Sequence, residues 1–182
     1  MDSVEVQLKV LMLAGLAGDA KAHHRLLSAA AARLRIFFGR RLGPDAPDVE
    51  DLVQETLIAI HQRRDSFNPA LPFTAWLYAI ARYKLVDHYR RSGIRSHVSI
   101  DNVDEPAAAD DIGPVLAASD VDRLLSELPE KHRSAIRLTR LEGYSVAEAS
   151  DITGQSPSGI KIGVHRGLKK LTMRVRGEHD RD

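Results

Sequence analysis

Between Gln155 and Gly177 every charged side chain is basic: Lys161, Arg166, Lys169, Lys170, Arg174 and Arg176. Cations repeated along one segment without an acid among them suit a phosphate backbone, because an ordinary solvated helix face intersperses both signs. Ile160, Val164, Leu168, Leu171 and Val175 have the spacing of a helical apolar stripe, which leaves Ser158, Lys161, Ile162, His165, Lys169 and Thr172 on the open side. Lys161, His165 and Ser158 carry groups that can bond base edges in a major groove, and Ile162 can meet a thymine methyl. Arg166, Lys169, Lys170 and Arg174 are placed for phosphates, which supply affinity without sequence information.

A second constellation lies earlier in the chain. Trp76, Ile80, Tyr83 and Asp87 share one side of a helical segment, and Lys84, His88 and Arg91 run along the adjacent stripe, with Arg90 and Arg95 near its end. Ring faces accept unstacked bases while cations track phosphates, so aromatic and basic side chains together suit single-stranded nucleic acid. The preceding turn-rich segment, from Asp65 to Pro72, contains Phe67 and Asn68 and could receive a base that has left its duplex. The simpler account is that Phe67 and Trp76 fill the core and that the arginines complement a helix dipole.

A third is acidic. Asp45, Asp48, Glu50 and Asp51 crowd a helix start, where the macrodipole favours negative charge. Glu55 lies four residues beyond Asp51, where like charges repel. A surface of Asp48, Asp51, Gln54 and Glu55 therefore invites a basic protein partner.

Enzymatic readings find little support. The absence of cysteine excludes disulfides and thiolate metal sites. His23 and His24 are adjacent, but His61, His88, His97, His132, His165 and His179 are scattered without ligand spacing. The acidic cluster could imitate a magnesium site, yet no phosphate-cradling glycine loop accompanies it. The expectation is no catalytic residue, no metal and no cofactor.

These constellations need elements to hold them. Of 182 residues, 43% are hydrophobic and 28% charged, enough apolar material for packed cores. Helical spacing is abundant and β-branched alternation scarce, so the fold class is all-α. From Ser96 to Ser119 every charged residue is acidic, amid Pro106, Gly113, Pro114 and small alanines. That stretch, 96–118, reads as a flexible acidic linker between a helical bundle at 1–95 and a smaller helical module at 119–182.

In the first module the pattern gives helices near Val4 to Ala17, Asp19 to Arg41 (Leu26, Leu27, Ala30, Leu34 and Phe37 inward) and Asp48 to Arg64 (Val49, Leu52, Val53, Leu57 and Ile60 inward). A fourth ends near Gly93. In the second, Ser119 begins a short helix, Pro129 serves as the first position of the next, which runs to about Glu142, and Ser145 with Glu148 forms a capping box. A helix ending at Gly154 and another capped by Ser156 then make a helix-turn-helix. The apolar run Val10 to Ala14 is too short to span a bilayer and lacks a basic start, so a cytoplasmic protein is expected.

Several of these segments resemble those of the extracytoplasmic-function sigma factors of the sigma-70 family. Asp48-Val49-Glu50-Asp51-Leu52-Val53-Gln54-Glu55 is similar to the region-two signature. Phe73-Thr74-Ala75-Trp76-Leu77-Tyr78-Ala79-Ile80-Ala81-Arg82, followed by Asp87-His88-Tyr89-Arg90-Arg91, resembles the segment that engages the minus-ten element. Leu128-Pro129-Glu130-Lys131-His132-Arg133 and the helix-turn-helix from Tyr144 to Leu171 resemble region four, which reads the minus-35 element.

The resemblance implies that Asp51, Gln54 and Glu55 dock on clamp helices of the polymerase largest subunit. It also implies that the loop from Ser66 to Leu71 takes up a flipped base, and that the linker threads toward the RNA exit path. Tyr83 and Gly163 stand where many relatives carry asparagine and arginine. The phrase Ile160 to Gly167 resembles a proteobacterial subgroup controlled by a multi-pass membrane anti-sigma factor. The rival expectation is a helix-turn-helix regulator that binds its operator without polymerase.

Overall fold

The computed structural model describes the backbone of residues 3–92 and 123–179. The acidic stretch 96–118, Arg95, Ser119, Val121 and the side chains of Val175 and Arg176 lie outside the described residues. The chain forms two compact units that divide between Pro106 and Ala107. Every described element is helical.

The first unit contains α1 (Ser3–Leu16), α2 (Ala20–Leu42), α3 (Asp48–Gln62), a 3-10 turn (Arg64–Ser66) and α4 (Phe73–Arg91). α2 begins where the Asp19 carboxylate accepts from Lys21 N at 2.9 Å and Ala22 N at 3.0 Å, satisfying two amides that have no partner within the helix. It ends at Gly43, whose φ of 104° excludes a β-carbon. α1 packs on α2, α2 on α3, α3 on α4, and α4 returns to α1, closing a ring around one core.

Within that core Leu26, Leu34, Phe37 and Phe38 are at most 1% exposed, each worth roughly 1.5–3 kcal/mol of burial. The inward face of α2 is broader than the sequence pattern: Phe38 and Ala31 are buried, while Leu27 is only partly so. α2 touches α1, α3 and α4 at once, so more than one stripe of it finds a partner. On α3, Thr56 is buried and Leu57 only partly; the hydroxyl is tolerated because it donates to Leu52 O at 2.7 Å.

At the outer edge of α2 and α3, His23 Nε2 lies 3.0 Å from His61 Nδ1, a pairing of distant residues that no local pattern announces. Partial burial, then the neighbouring His61 and Arg64, hold the His23 pKa below its ordinary value. The unfolded chain therefore takes up this proton first, so the stabilisation is complete above the ordinary value and declines as pH falls below it. Urea unfolding followed by Trp76 emission should show the bundle weakening as pH falls below the ordinary histidine value of 6.5, and His23→Gln should flatten that slope.

In the second unit, residues 123–126 form a helical turn, followed by α5 (Glu130–Ile136), a π-helical turn (Arg137–Leu141), α6 (Val146–Thr153) and α7 (Pro157–His179). Pro129 is the N-cap of α5, with φ −53° and ψ 142°, one position earlier than the sequence suggests. The π turn replaces the expected continuous helix to Glu142: Glu142 N donates to Arg137 O at 3.0 Å. The Ser145–Glu148 capping box forms, with Glu148 N to Ser145 Oγ at 3.2 Å and Ser145 N to Glu148 Oε2 at 2.8 Å. Gly154 ends α6 with φ 68°, and Ser156 Oγ accepts from Gly159 N at 3.1 Å to start α7.

Two glycines set how closely α7 approaches α5. A β-carbon on Gly167 would sit 2.6 Å from Ile136 Cδ1, and one on Gly163 would sit 3.3 Å from Ala135 Cβ and 3.4 Å from Lys131 O. Gly163 therefore faces the core, and a long side chain there would enter packed space. Gly167→Leu should cost about 1–3 kcal/mol through overpacking. Circular dichroism of urea unfolding would register the loss, while Trp76 emission, which reports the other unit, keeps its midpoint.

Candidate nucleic-acid interface

α6 and α7, joined by Gly154-Gln155-Ser156, form the helix-turn-helix of the second unit. Ile160 and Val164 are buried, with Leu168 and Leu171 packed beside them, which fixes the rotation of α7. Ser158, Ile162, His165 and Lys169 then follow one another at i, i+4, i+7 and i+11 along a single exposed stripe. Ile162 remains 48% exposed, a cost in water that contact with another apolar surface would remove. Lys161 flanks that stripe, half-buried, and Arg166 is exposed on its other side.

Lys170 and Arg174 turn away from it. Lys170 Nζ donates to Glu127 O at 3.3 Å, and Arg174 Nε lies 3.4 Å from Glu127 Oε2. Both are tied to the segment preceding α5, a contact across more than forty residues that helical spacing alone does not reveal.

In the first unit the structure joins two surfaces that the sequence presented separately. α3 and α4 pack side by side, and their polar edges meet in a groove lined by Asp48, Asp51, Leu52, Glu55, His88, Arg91 and Ser92. Lys84 Nζ is 3.3 Å from Glu55 Oε2, Arg91 Nη2 is 3.3 Å from the same oxygen, and His88 Nε2 is 3.8 Å from Asp48 Oδ2. Arg91 also reaches Asp87 at 3.2 Å. Burial pushes the Glu55 carboxyl up, but hydrogen bonds from Lys84 and Arg91 and their charges together hold it below the ordinary carboxylate value. Asp51 and Gln54 point outward at the rim.

The aromatic candidates divide. Phe67 is 4% exposed, with its ring edge-on to Phe73 at 5.8 Å and to Trp76 at 5.5 Å, so it belongs to the core beneath the loop. Trp76 is half-buried above it, and Tyr83, two turns along the same face, is 57% exposed. Asn68 shapes its own loop: its Oδ1 accepts from Ala70 N at 2.9 Å and its carbonyl from Leu71 N at 3.0 Å.

Sequence reasoning missed Glu5. This carboxylate is 9% exposed and accepts from Phe73 N at 2.6 Å and Thr74 N at 2.9 Å, at the start of α4. Its only outward signal was a single acid in the first turn of a largely apolar helix whose one other charged residue is Lys9. Among the described residues no cluster of three or more His, Cys, Asp or Glu side chains could hold a metal ion, and no helix is long and apolar enough to cross a membrane.

Comparison with known proteins matches residues 20–94 to Sigma-70 region 2 and residues 118–171 to Sigma-70, region 4. The chain is 44% identical over 177 residues to the ECF RNA polymerase sigma factor SigF of Caulobacter vibrioides, covering 97% of this chain and 98% of that protein. It is 31% identical to the RNA polymerase sigma factor CarQ of Myxococcus xanthus, covering 85% and 89%. Among solved structures, the sigma factor RpoE in complex with the anti-sigma factor NepR, from Bartonella quintana, aligns at 28% identity, 86% and 98% coverage and a TM-score of 0.41.

Proposed function

Because the chain belongs to the extracytoplasmic-function sigma factors of the sigma-70 family and is an alternative RNA polymerase sigma factor, we propose that its two units divide promoter recognition between them. Residues 119–182 read the minus-35 element: Ser158, Lys161, Ile162 and His165 meet bases, and Arg166 and Lys169 meet phosphates, with Lys170 and Arg174, bound to Glu127, a weaker second pair of phosphate contacts. Residues 1–95 hold core polymerase and the minus-ten element, and residues 96–118 connect the two.

On α3, Asp48, Asp51, Gln54 and Glu55 dock on a basic helical surface of the polymerase largest subunit. In the loop and on α4, Asn68 and Trp76 receive an unstacked base over the Phe67 floor, and Tyr83, Lys84, His88 and Arg91 hold the opened strand. The work is binding rather than catalysis, carried out in the cytoplasm beside core polymerase. The partner that restrains the free protein is an anti-sigma factor of the multi-pass membrane type.

The single observation that carries this division is the exposed, acid-free stripe of α7, seated on a helix-turn-helix. The test adds purified chain to core polymerase and scores run-off transcription from randomised promoters. Selected promoters should share two elements at a fixed spacing. Operator binding by the chain alone, without polymerase-dependent transcripts, would instead identify a conventional helix-turn-helix regulator.

A further inference from the structure

Every α-helix begins with amides that have no partner within it. α4 starts after Pro72, which offers no side-chain acceptor for the first amides of the helix. The acceptor comes instead from α1, whose Glu5 places one oxygen on Phe73 N and the other on Thr74 N. A buried carboxylate is costly unless it is hydrogen-bonded, and a helix start is costly unless its amides are met, so each end of this contact needs the other. The helix dipole reinforces it, since negative charge is favoured at an N-terminus.

What this contact pins is specific. Phe73 and Thr74 are 0% and 5% exposed, and the Phe73 ring lies 5.8 Å from both Phe67 and Trp76. Those three rings carry the loop that contains Asn68, and Trp76 stands half-buried at its rim. The matched Sigma-70 region 2 begins at residue 20, so α1 lies outside it. We propose that Glu5 is a positioning residue for promoter opening: by capping α4 it fixes Trp76 and the Asn68 loop in the arrangement that captures the minus-ten base. This rests on the reading of that loop as a base pocket.

Glu5→Ala and Glu5→Gln separate positioning from mere stability. Glutamine fills the same volume but points a donor at an amide donor, so it tests the contact even where alanine fails to fold. Each full-length variant, assembled with core polymerase, is compared for binding to a minus-ten single strand with its captured base intact and to the same strand with that base removed. Wild-type holoenzyme should prefer the intact strand, and both variants should lose about tenfold of that preference. Amide exchange should accelerate at Phe73 and Thr74 while assembly with core polymerase is unchanged.

A merely structural Glu5 would lower the thermal midpoint and leave the preference for the intact strand untouched, and that result overturns the inference. Absence of any preference in the wild type would overturn the pocket reading itself, and with it the inference.

Discussion

Asp51→Arg combined with Glu55→Arg should remove promoter-specific transcription by holoenzyme while leaving a helical, folded chain. Asp51 is exposed at the rim of the α3–α4 groove, and Glu55 lies a turn deeper, with its carboxylate on Lys84 and Arg91. Disrupting one side of a hydrogen-bonded charge pair at a protein interface costs about 2–5 kcal/mol. At about 1.4 kcal/mol per decade, that is a loss of at least roughly thirtyfold in docking.

The pair also contains its own control. Asp51→Arg alone leaves the Glu55 contacts in place, so its effect reports docking rather than a disturbed α3–α4 edge. The measurement is run-off transcription against polymerase concentration, with helicity followed by circular dichroism. Undiminished transcription by the double variant would place the docking surface elsewhere.

The second large effect falls on α7. Lys161→Ala and His165→Ala should each cost about 1–3 kcal/mol at one minus-35 position and relax the preference there. Lys169→Ala should instead weaken binding to all sequences alike and reduce the salt slope by about 1. Lys170 and Arg174 already hold Glu127, so their alanine variants should change the slope less than Lys169→Ala does. Holoenzyme binding to minus-35 duplexes, titrated across salt concentrations, reads all of these. A larger slope change at Lys170 or Arg174 than at Lys169 would show that the opposite flank of α7 faces the DNA.

Much of the framework was legible because its signals are local. Asp19, Ser145 with Glu148, and Ser156 bond amides two or three residues away, and their short spacing is visible in the chain itself. The apolar period of α7 fixes its rotation, and the open stripe follows directly. What escaped was set by partners far along the chain. Glu5 bonds amides at residues 73 and 74, Glu55 bonds cations on α4, and Lys170 bonds Glu127. None of these pairs has a spacing that helical periodicity can disclose. Phe67 illustrates the same limit, since an aromatic in a turn-rich segment reads equally as ligand contact or as plug until its neighbours Phe73 and Trp76 are in place. Gly163 drew notice for the side chain it lacks, and the proximity of Ala135 and the Lys131 carbonyl supplies the physical reason.

The meeting of Glu55 with Lys84 and Arg91 has a thermodynamic consequence. One carboxylate cannot serve two sets of cations at full strength, and the candidate surface for polymerase here neutralises the candidate surface for DNA. Drawing Glu55 toward a basic polymerase helix would leave Lys84 and Arg91 with uncompensated charge, raising their affinity for phosphate. Linkage makes that gain reciprocal: an opened strand held by those cations would tighten the grip of α3 on polymerase by the same free energy. Two binding events on opposite sides of one ion cluster would thus become a cooperative pair, with the uncomplexed chain kept from the genome's many nonspecific phosphates by its own acids.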